Sequence, residues 1–189
     1  MLEAARLAQR ALELGPDDPV VLTRGGHALG ALLGDLEAAI TFIDQALVLD
    51  PNYAVAWAFG AWMRACLGEP ETAIEHHARA MRLSPLDPNI FQMQTGTACG
   101  LLFLGRYDEA SAWAEKAFRG QLNYLPAALF TAASHALAGR TEKARLAMAR
   151  MRQIDPNLRL SNFRQLIPLR RAQDAAILVE GMRKAGLPE

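Results

Sequence analysis

Apolar positions along the chain recur every three to four residues, in blocks of about fourteen, and this spacing predicts amphipathic helices. Runs rich in Val, Ile, Thr or aromatic residues are few, so a sheet is not expected. The predicted helices cover residues 2–14, 19–33, 36–49, 54–67, 70–83, 88–103, 107–119, 124–138 and 141–153, followed by a short helix at 160–166 and a last one at 172–185. The pattern therefore predicts an all-α protein.

One motif of about 34 residues repeats through most of this helical pattern. Its turn glycines, Gly34, Gly68, Gly105 and Gly139, are 34, 37 and 34 residues apart. Two small or apolar residues follow each glycine at offsets of five and twelve residues, and a helix-ending residue follows at seventeen. The four sets are Ala39, Ala46 and Pro51; Ala73, Ala80 and Pro85; Ala110, Ala117 and Leu122; and Ala144, Met151 and Pro156. Glycine reverses the chain, small residues let a neighbouring helix approach, and proline stops the helix. Two helices per repeat of this length are typical of a solenoid.

These slots resemble those of the tetratricopeptide repeat, and Trp57 and Phe91 match its large-aromatic position. The resemblance implies a right-handed α-α superhelix of antiparallel helix pairs that ends in a divergent helical cap. The expected divisions are a half repeat at 1–16, helix-pair repeats at 17–51, 52–85, 86–122 and 123–156, and a basic C-terminal cap at 157–189. Three extra residues between Pro85 and Gly105 are expected to lengthen helix 88–103 or to loosen the turn after it.

The last thirty residues carry a second resemblance, in the pieces LRLSNFR, PLRR and EGMRKAGLPE. They look like the closing segment of bacterial multidomain proteins that join a class III adenylate/guanylate cyclase domain, or a winged-helix domain, to a tetratricopeptide array. This likeness implies a sensor or scaffold portion of such a protein. The basic character of the segment comes mainly from its arginines, among them Arg159, Arg164, Arg170 and Arg171.

Composition adds limits on location and chemistry. The longest apolar run, 54–63, is too short to cross a bilayer, which takes roughly 20 residues, and no signal-peptide core opens the chain. A cytoplasmic protein without membrane contact is expected. Net charge is zero, yet residues 1–138 carry 9 Lys and Arg against 15 Asp and Glu, whereas 139–189 carry 11 against 5. The asymmetry is explained either by two solvated surfaces or by attraction of one end to an acidic partner or to another copy.

The pattern offers little that suggests chemistry. Cys66 and Cys99 form no metal-binding spacing and are expected to be packed thiols. His76 and His77 are consecutive on a helix, so they point about 100° apart and cannot easily share an ion. His77 falls in a packing slot, and His76 is expected to be solvated. No nucleophile and base can be paired, and no phosphate loop is complete. Catalysis, metals, cofactors and nucleic-acid binding are not expected.

In arrays of this type the first helices of successive repeats line a concave groove where partners bind. Counting along those helices places eleven residues in the groove: Thr23, His27, Val55, Ala58, Trp62, Cys66, Asn89, Gln92, Gly96, Leu129 and Ala133. The lining is small and mostly apolar, which suits a helix or extended peptide. Trp62 is either the chief anchor or packed between helices.

The sequence thus predicts a non-catalytic scaffold that binds a protein or peptide. Two alternatives stay open. The chain could be the regulatory region of a cyclase or transcriptional regulator, or it could be a self-association module.

Overall fold

The computed structural model describes residues 2–189, apart from the side chains of Leu2, Arg164 and Gln165. Over that range the chain forms ten α-helices and one short 3-10 helix at Phe163–Leu166, with no β-strand. The helices are α1 Leu2–Leu14, α2 Pro19–Leu33, α3 Leu36–Leu49, α4 Ala54–Leu67, α5 Pro70–Leu83, α6 Ile90–Phe103, α7 Tyr107–Gly120, α8 Leu125–Leu137, α9 Thr141–Ile154 and α10 Ala172–Ala185. The predicted helices are confirmed to within two residues at every α-helix end.

The chain divides into two compact units, Met1–Asp87 and Pro88–Glu189, called unit 1 and unit 2 below. In unit 1, α2 pairs with α3 and α4 with α5, and α1 packs on α2. In unit 2, α6 pairs with α7 and α8 with α9. Each unit therefore contains two helix pairs. The repeat boundaries within the sequence remain predictions.

The turn glycines adopt the left-handed backbone that reverses each pair. Gly34 and Gly68 have φ of 71° and 104°, and Gly105 and Gly139 have φ of 73° and 74°. A side chain is strained in this region, which is why glycine occupies it. At the start of α2 and α3, the carboxylates of Asp18 and Asp35 accept hydrogen bonds from helix backbone N–H groups. The predicted chain reversals are thus confirmed.

The small-residue slots form the packing surface of each pair. Their eight occupants, Ala39, Ala46, Ala73, Ala80, Ala110, Ala117, Ala144 and Met151, are all fully buried. In the half repeat, Ala4, Ala11 and Pro16 have the same spacing as Ala39, Ala46 and Pro51, yet Ala4 and Ala11 are exposed. α1 instead buries Ala5 and Leu12, one residue later in each case, and leaves the stripe that carries Ala4 and Ala11 uncovered.

The extra residues near α6 do not lengthen that helix. The helix predicted at 88–103 has sixteen residues, but the observed α6 has fourteen, as α4 does. Two of the added residues lie before the helix, after Pro85, and one lies after it, because Leu104 separates Phe103 from the turn glycine. The lengthened helix was wrong because Pro88 and Asn89 belong to the preceding connection.

A polar pair joins consecutive repeats at the same place in both units. In unit 1, Asp44 of α3 accepts hydrogen bonds of 2.8 and 2.7 Å from one Nη atom of Arg64 in α4. In unit 2, the buried His135 of α8 lies 2.7 Å from Glu115 of α7. Each acid is ten residues after a turn glycine, and each base is four residues before the next glycine.

The tautomer of His135 follows from its second neighbour. Arg140 donates through Nε to His135 Nδ1 at 2.9 Å, so Nδ1 is unprotonated and Nε2–H donates to Glu115. Burial lowers the pKa of His135, and the hydrogen bond that His135 donates to Glu115 opposes this by raising the pKa. Arg140 also contacts Asp108 and the Ser111 hydroxyl. This network holds α8 against α7 and positions the face described next.

Candidate partner-binding surfaces

We define the first-helix face by the residues ten and six positions before each turn glycine. A spacing of four residues places the two members on one side of their helix. The face comprises Arg24 and Ala28 of α2, Ala58 and Trp62 of α4, Thr95 and Cys99 of α6, and Leu129 and Ala133 of α8. Its accessibility differs between the units.

In unit 1 the first-helix face is accessible. Arg24 is exposed, and Ala28, Ala58 and Trp62 are partly exposed. At the centre of this face the His27 ring stacks on Phe59 with centroids 4.1 Å apart and planes at 26°. The Arg24 guanidinium lies 5.1 Å from the centre of the Phe59 ring. A cation, two stacked rings and an indole therefore share one surface.

The electrostatics of this surface favour a neutral imidazole. Burial lowers the pKa of His27, and the nearby Arg24 charge lowers it further. At neutral pH the positive charge of the cluster accordingly lies on Arg24. Neither α2 nor α4 contains an Asp or Glu that could neutralise it.

Four of the six groove residues predicted in unit 1 lie on accessible surface. His27, Val55, Ala58 and Trp62 are partly exposed. Thr23 and Cys66 are fully buried, so their predicted place on an open surface was wrong. Thr23 precedes the exposed Arg24 by one residue, and one residue rotates a side chain by about 100° around a helix. Arg24 and Phe59 were missed.

In unit 2 the first-helix face is covered. Leu129 and Ala133 are fully buried and Gly96 is buried, contrary to the open groove expected there. Among the predicted groove residues of this unit, only Asn89, just before α6, and Gln92, in the first turn of α6, are exposed. The covering element is α10, which packs mainly on α8 with lesser contact to α9 and α6.

Gly181 is the point of closest approach between α10 and α8. A Cβ placed on Gly181 would lie 2.9 Å from Ala133 Cβ, 3.1 Å from Ala133 Cα and 3.2 Å from Leu137 Cδ1. Contacts below 3.0 Å force the structure to shift, so the two backbones approach this closely only because the pair is glycine and alanine. The predicted groove residue Ala133 is thus in contact with the chain's own C-terminal helix.

The buried stripe of α10 includes one carboxylate. Asp174 is 1% exposed, and neither of its oxygens finds a hydrogen-bond partner among the described residues. Its ion-pair partner is Arg171, whose Nε lies 3.5 Å away. Burial raises the pKa of Asp174, and Arg171 opposes that effect. The docked helix therefore carries a poorly solvated charge.

The predicted basic cap residues have mixed roles. Arg159 is partly buried, and its guanidinium donates to the carbonyls of Pro156 and Leu158 at 2.8 Å, so it stabilises its own turn. Arg170 and Arg171 are exposed. The side chain of Arg164 lies outside the described part of the structure.

The histidines of α5 differ in environment. His77 is buried, as predicted from its packing slot. His76 is half-buried with its ring edge-on to Trp57 at 4.7 Å, so the expectation of a solvated side chain was wrong. Within residues 2–189, apart from the three omitted side chains, no group of three or more His, Cys, Asp or Glu could hold a metal ion. No described helix has the length and apolar character needed to span a membrane.

Comparison with known proteins gives one curated relative and several structural neighbours. The chain is 32% identical to Protein FlbA of Caulobacter vibrioides over 124 residues, which is 66% of this chain and 21% of that protein. It thus spans about a fifth of the relative's length. No protein-family model matches the chain.

Solved structures with similar folds are more numerous but share little sequence. PilW, described as a widely conserved type IV pilus biogenesis factor, superposes with a TM-score of 0.71 at 17% identity, covering 93% of this chain and 81% of PilW. YrrB, described as a TPR protein with an unusual peptide-binding site, gives 0.61 at 19%, covering 96% and 93%. MamA gives 0.63 at 18%, covering 81% of each chain. These likenesses, together with the helix pairs and glycine turns above, show that the chain has an all-α helical-repeat fold of the tetratricopeptide type.

Proposed function

We propose that this chain is a non-catalytic interaction module, and that the first-helix face of unit 1 holds a segment of another protein. The observation that carries the proposal is the accessible cluster of Arg24, His27, Phe59 and Trp62 described above. Aromatic and Arg side chains dominate binding energy at protein interfaces. The likeness in fold to YrrB, a protein with a peptide-binding site, supports the same reading.

The charge around this face indicates what kind of segment it would bind. Unit 1 carries 12 Asp and Glu against 6 Lys and Arg, yet its two first helices contain no acidic residue. Arg24 therefore offers a cation beside apolar surface in an otherwise acidic unit. A segment with apolar side chains and one carboxylate aligned with Arg24 is the ligand that this surface favours.

Selection from a random peptide library displayed on phage tests the proposal. We expect the full chain to enrich peptides that combine apolar or aromatic residues with an acidic one. A selected peptide should bind the Arg24→Glu variant at least about tenfold more weakly, because its carboxylate would meet a like charge. Arg82→Glu is the matched control, since Arg82 is an exposed arginine of α5 in the same unit. Equal loss in both variants would refute the assignment of the face.

Self-association is a second candidate, favoured by the uncovered stripe on α1. Leu7 is 58% exposed and Leu14 is 70% exposed, on the side that carries Ala4 and Ala11. Unit 2 has 14 Lys and Arg against 8 Asp and Glu, so its charge is opposite in sign to that of unit 1. Light scattering of wild type and Leu7→Asp across salt concentration separates the possibilities. A wild-type monomer at every salt concentration would exclude this candidate.

The regulatory alternative rests on the tail resemblance alone and stays a prediction. The matched curated relative is much longer than this chain, which is compatible with that alternative without favouring it.

A further inference from the structure

The C-terminal helix α10 is connected to its unit differently from the other helices. The connection from α3 to α4 is residues 50–53, and that from α7 to α8 is 121–124. The connection from α9 to α10 is residues 155–171, which include the 3-10 helix. This connection is packed and not loose, because Leu158, Phe163 and Ile167 are buried and the Leu160 N–H donates to the Pro188 carbonyl at 2.7 Å. It therefore holds α10 as part of a separate C-terminal element.

The side of α8 that α10 covers is also not the side used between repeats. In unit 1, the first helices α2 and α4 meet at Gly30 of α2, four residues before the turn glycine Gly34. A Cβ added to Gly30 would lie 2.5 Å from Sδ of Met63 in α4. In unit 2, α10 meets α8 at Ala133 and Leu137, six and two residues before the glycine. At 100° per residue around the helix axis, the side chains six and two residues before the glycine each point about 160° away from the side chain four residues before it. α10 therefore lies where a ligand would lie, on the first-helix face, and not where another repeat would stack.

The contact has two properties of an exchangeable complex. It depends on one small-residue pair, Gly181 against Ala133, so a single side chain decides whether the helices fit. The docked helix also carries the buried Asp174, whose oxygens find no hydrogen-bond partner in the described part of the chain and whose cation is 3.5 Å away. A buried carboxylate so poorly paired weakens docking relative to an apolar residue at the same place. Apolar residues Leu178 and Met182 on the same stripe supply the favourable burial.

We propose that the first-helix face of α6 and α8 is a second binding surface, for an amphipathic helix with a glycine or alanine at its centre, and that α10 is its resident intramolecular ligand. This surface is distinct from the one assigned to unit 1, and the proposal does not depend on that assignment. A partner helix reaches the surface when α10 leaves α8. Its recognition requires a small residue opposite Ala133 and an apolar stripe on either side.

A labelled copy of the helix itself is the probe that tests this exchange. The full chain is prepared as wild type, as Gly181→Leu, and as the control Ala176→Leu, which places the same leucine on the exposed side of α10. A fluorescein-labelled peptide of residues 170–189 is added to each, and anisotropy reports binding. In the wild type, the tethered helix competes at an effective concentration on the order of millimolar. We expect the peptide to bind Gly181→Leu about tenfold or more tightly than wild type or Ala176→Leu.

Two results of this assay would overturn the proposal. One is equal peptide binding by all three proteins. The other is loss of the helical circular dichroism of the whole chain in Gly181→Leu, because it would show that α10 is required for unit 2 to fold. A peptide carrying the same Gly181→Leu change should not bind any of the three proteins. If it binds as well as the wild-type peptide, the small-residue requirement is wrong.

Hydrogen exchange on the unmodified protein gives an independent answer. We expect the amides of α10 to exchange at least about tenfold faster than the central amides of α8, through a local opening that leaves α6 to α9 intact. Exchange of α10 and α8 together, at one common rate, would mean that α10 does not open separately, and the proposal would fail.

Discussion

Replacing His77 by leucine should remove much of the acid sensitivity of unit 1. His77 is 2% exposed, and neither ring nitrogen finds a hydrogen-bond partner among the described residues. Burial, with the neighbouring His76 adding to it, lowers the pKa of His77 to about 3 from an ordinary value of 6.5. The equivalent positions, nine residues after the other turn glycines, are Ile43, Ala114 and Met148, all buried. Leucine therefore suits the site.

The expected magnitude follows from proton linkage. When folding lowers the pKa of a base, the unfolded state binds the proton more readily than the folded state. The folded protein therefore has its full stability above the unfolded-state pKa and loses stability as the pH falls toward the folded-state pKa. The relevant window thus runs from about pH 6.5 down to about pH 3. With a pKa of 6.5 in the unfolded state and about 3 in the folded state, the free energy of unfolding falls by about 2–3 kcal/mol between pH 8 and pH 4.5. His77→Leu should abolish this loss and add about 1–3 kcal/mol at pH 8, because a buried unpaired N–H is removed.

Urea unfolding of the two proteins at several pH values measures the effect. Trp57 and Trp62 lie in unit 1 and Trp113 lies in unit 2, so both proteins carry Trp113→Phe and their fluorescence then reports the unit with the substitution. Wild type is the matched control because it shares the other three histidines, whose protonation affects both proteins alike. The free-energy difference between variant and wild type should grow by about 2–3 kcal/mol from pH 8 to pH 4.5. A free-energy difference between the two proteins that stays constant from pH 8 to pH 4.5 would refute the reasoning.

Three further substitutions or modifications test other features of the fold. Gly34→Ala should lower stability by about 1 kcal/mol, because φ is 71° and no atom lies near the added Cβ, so backbone strain is the sole cost; an unchanged urea midpoint would contradict this. A double-mutant cycle of Asp44→Ala and Arg64→Met should give a coupling of about 1 kcal/mol, since Asp44 remains half-exposed; zero coupling would show that the pair only positions α4. Cys66, fully buried with a pKa of about 12, should resist iodoacetamide in the native state and react after unfolding, as mass spectrometry can show; rapid native labelling would contradict its burial.

The fold could be predicted closely from the sequence because its signals are local. Each turn glycine and the alanine five residues later recur at fixed spacing, and both reflect direct steric requirements of a helix pair. The lengthened helix before Gly105 was wrong because a spacing does not say which loop receives an insertion. Loops accept extra residues more cheaply than a packed helix does.

The binding surfaces were predicted less well, for two physical reasons. In α2 the face was assigned one residue out of register, because the paired glycines Gly25 and Gly26 provide no polar and apolar contrast to orient the helix. In unit 2 the groove was expected to be open, because amphipathicity shows that α10 packs on something without showing on what. The usable signal was Gly181, a glycine inside a helix and facing its buried stripe, which marks a close backbone approach.

The matching polar pairs, Asp44 with Arg64 and Glu115 with His135, have a consequence for rebuilding the array. Each pair places an acid ten residues after one turn glycine and a base four residues before the next, so it acts as a connector between modules. An inserted repeat would keep its neighbours in register if it carried a base four residues before its own turn glycine and an acid ten residues after that glycine. The arginine connector keeps its charge at every working pH, whereas the histidine connector relies on one neutral tautomer fixed by Arg140. Exchanging the two would therefore transfer sensitivity to protonation from one unit to the other without changing the fold.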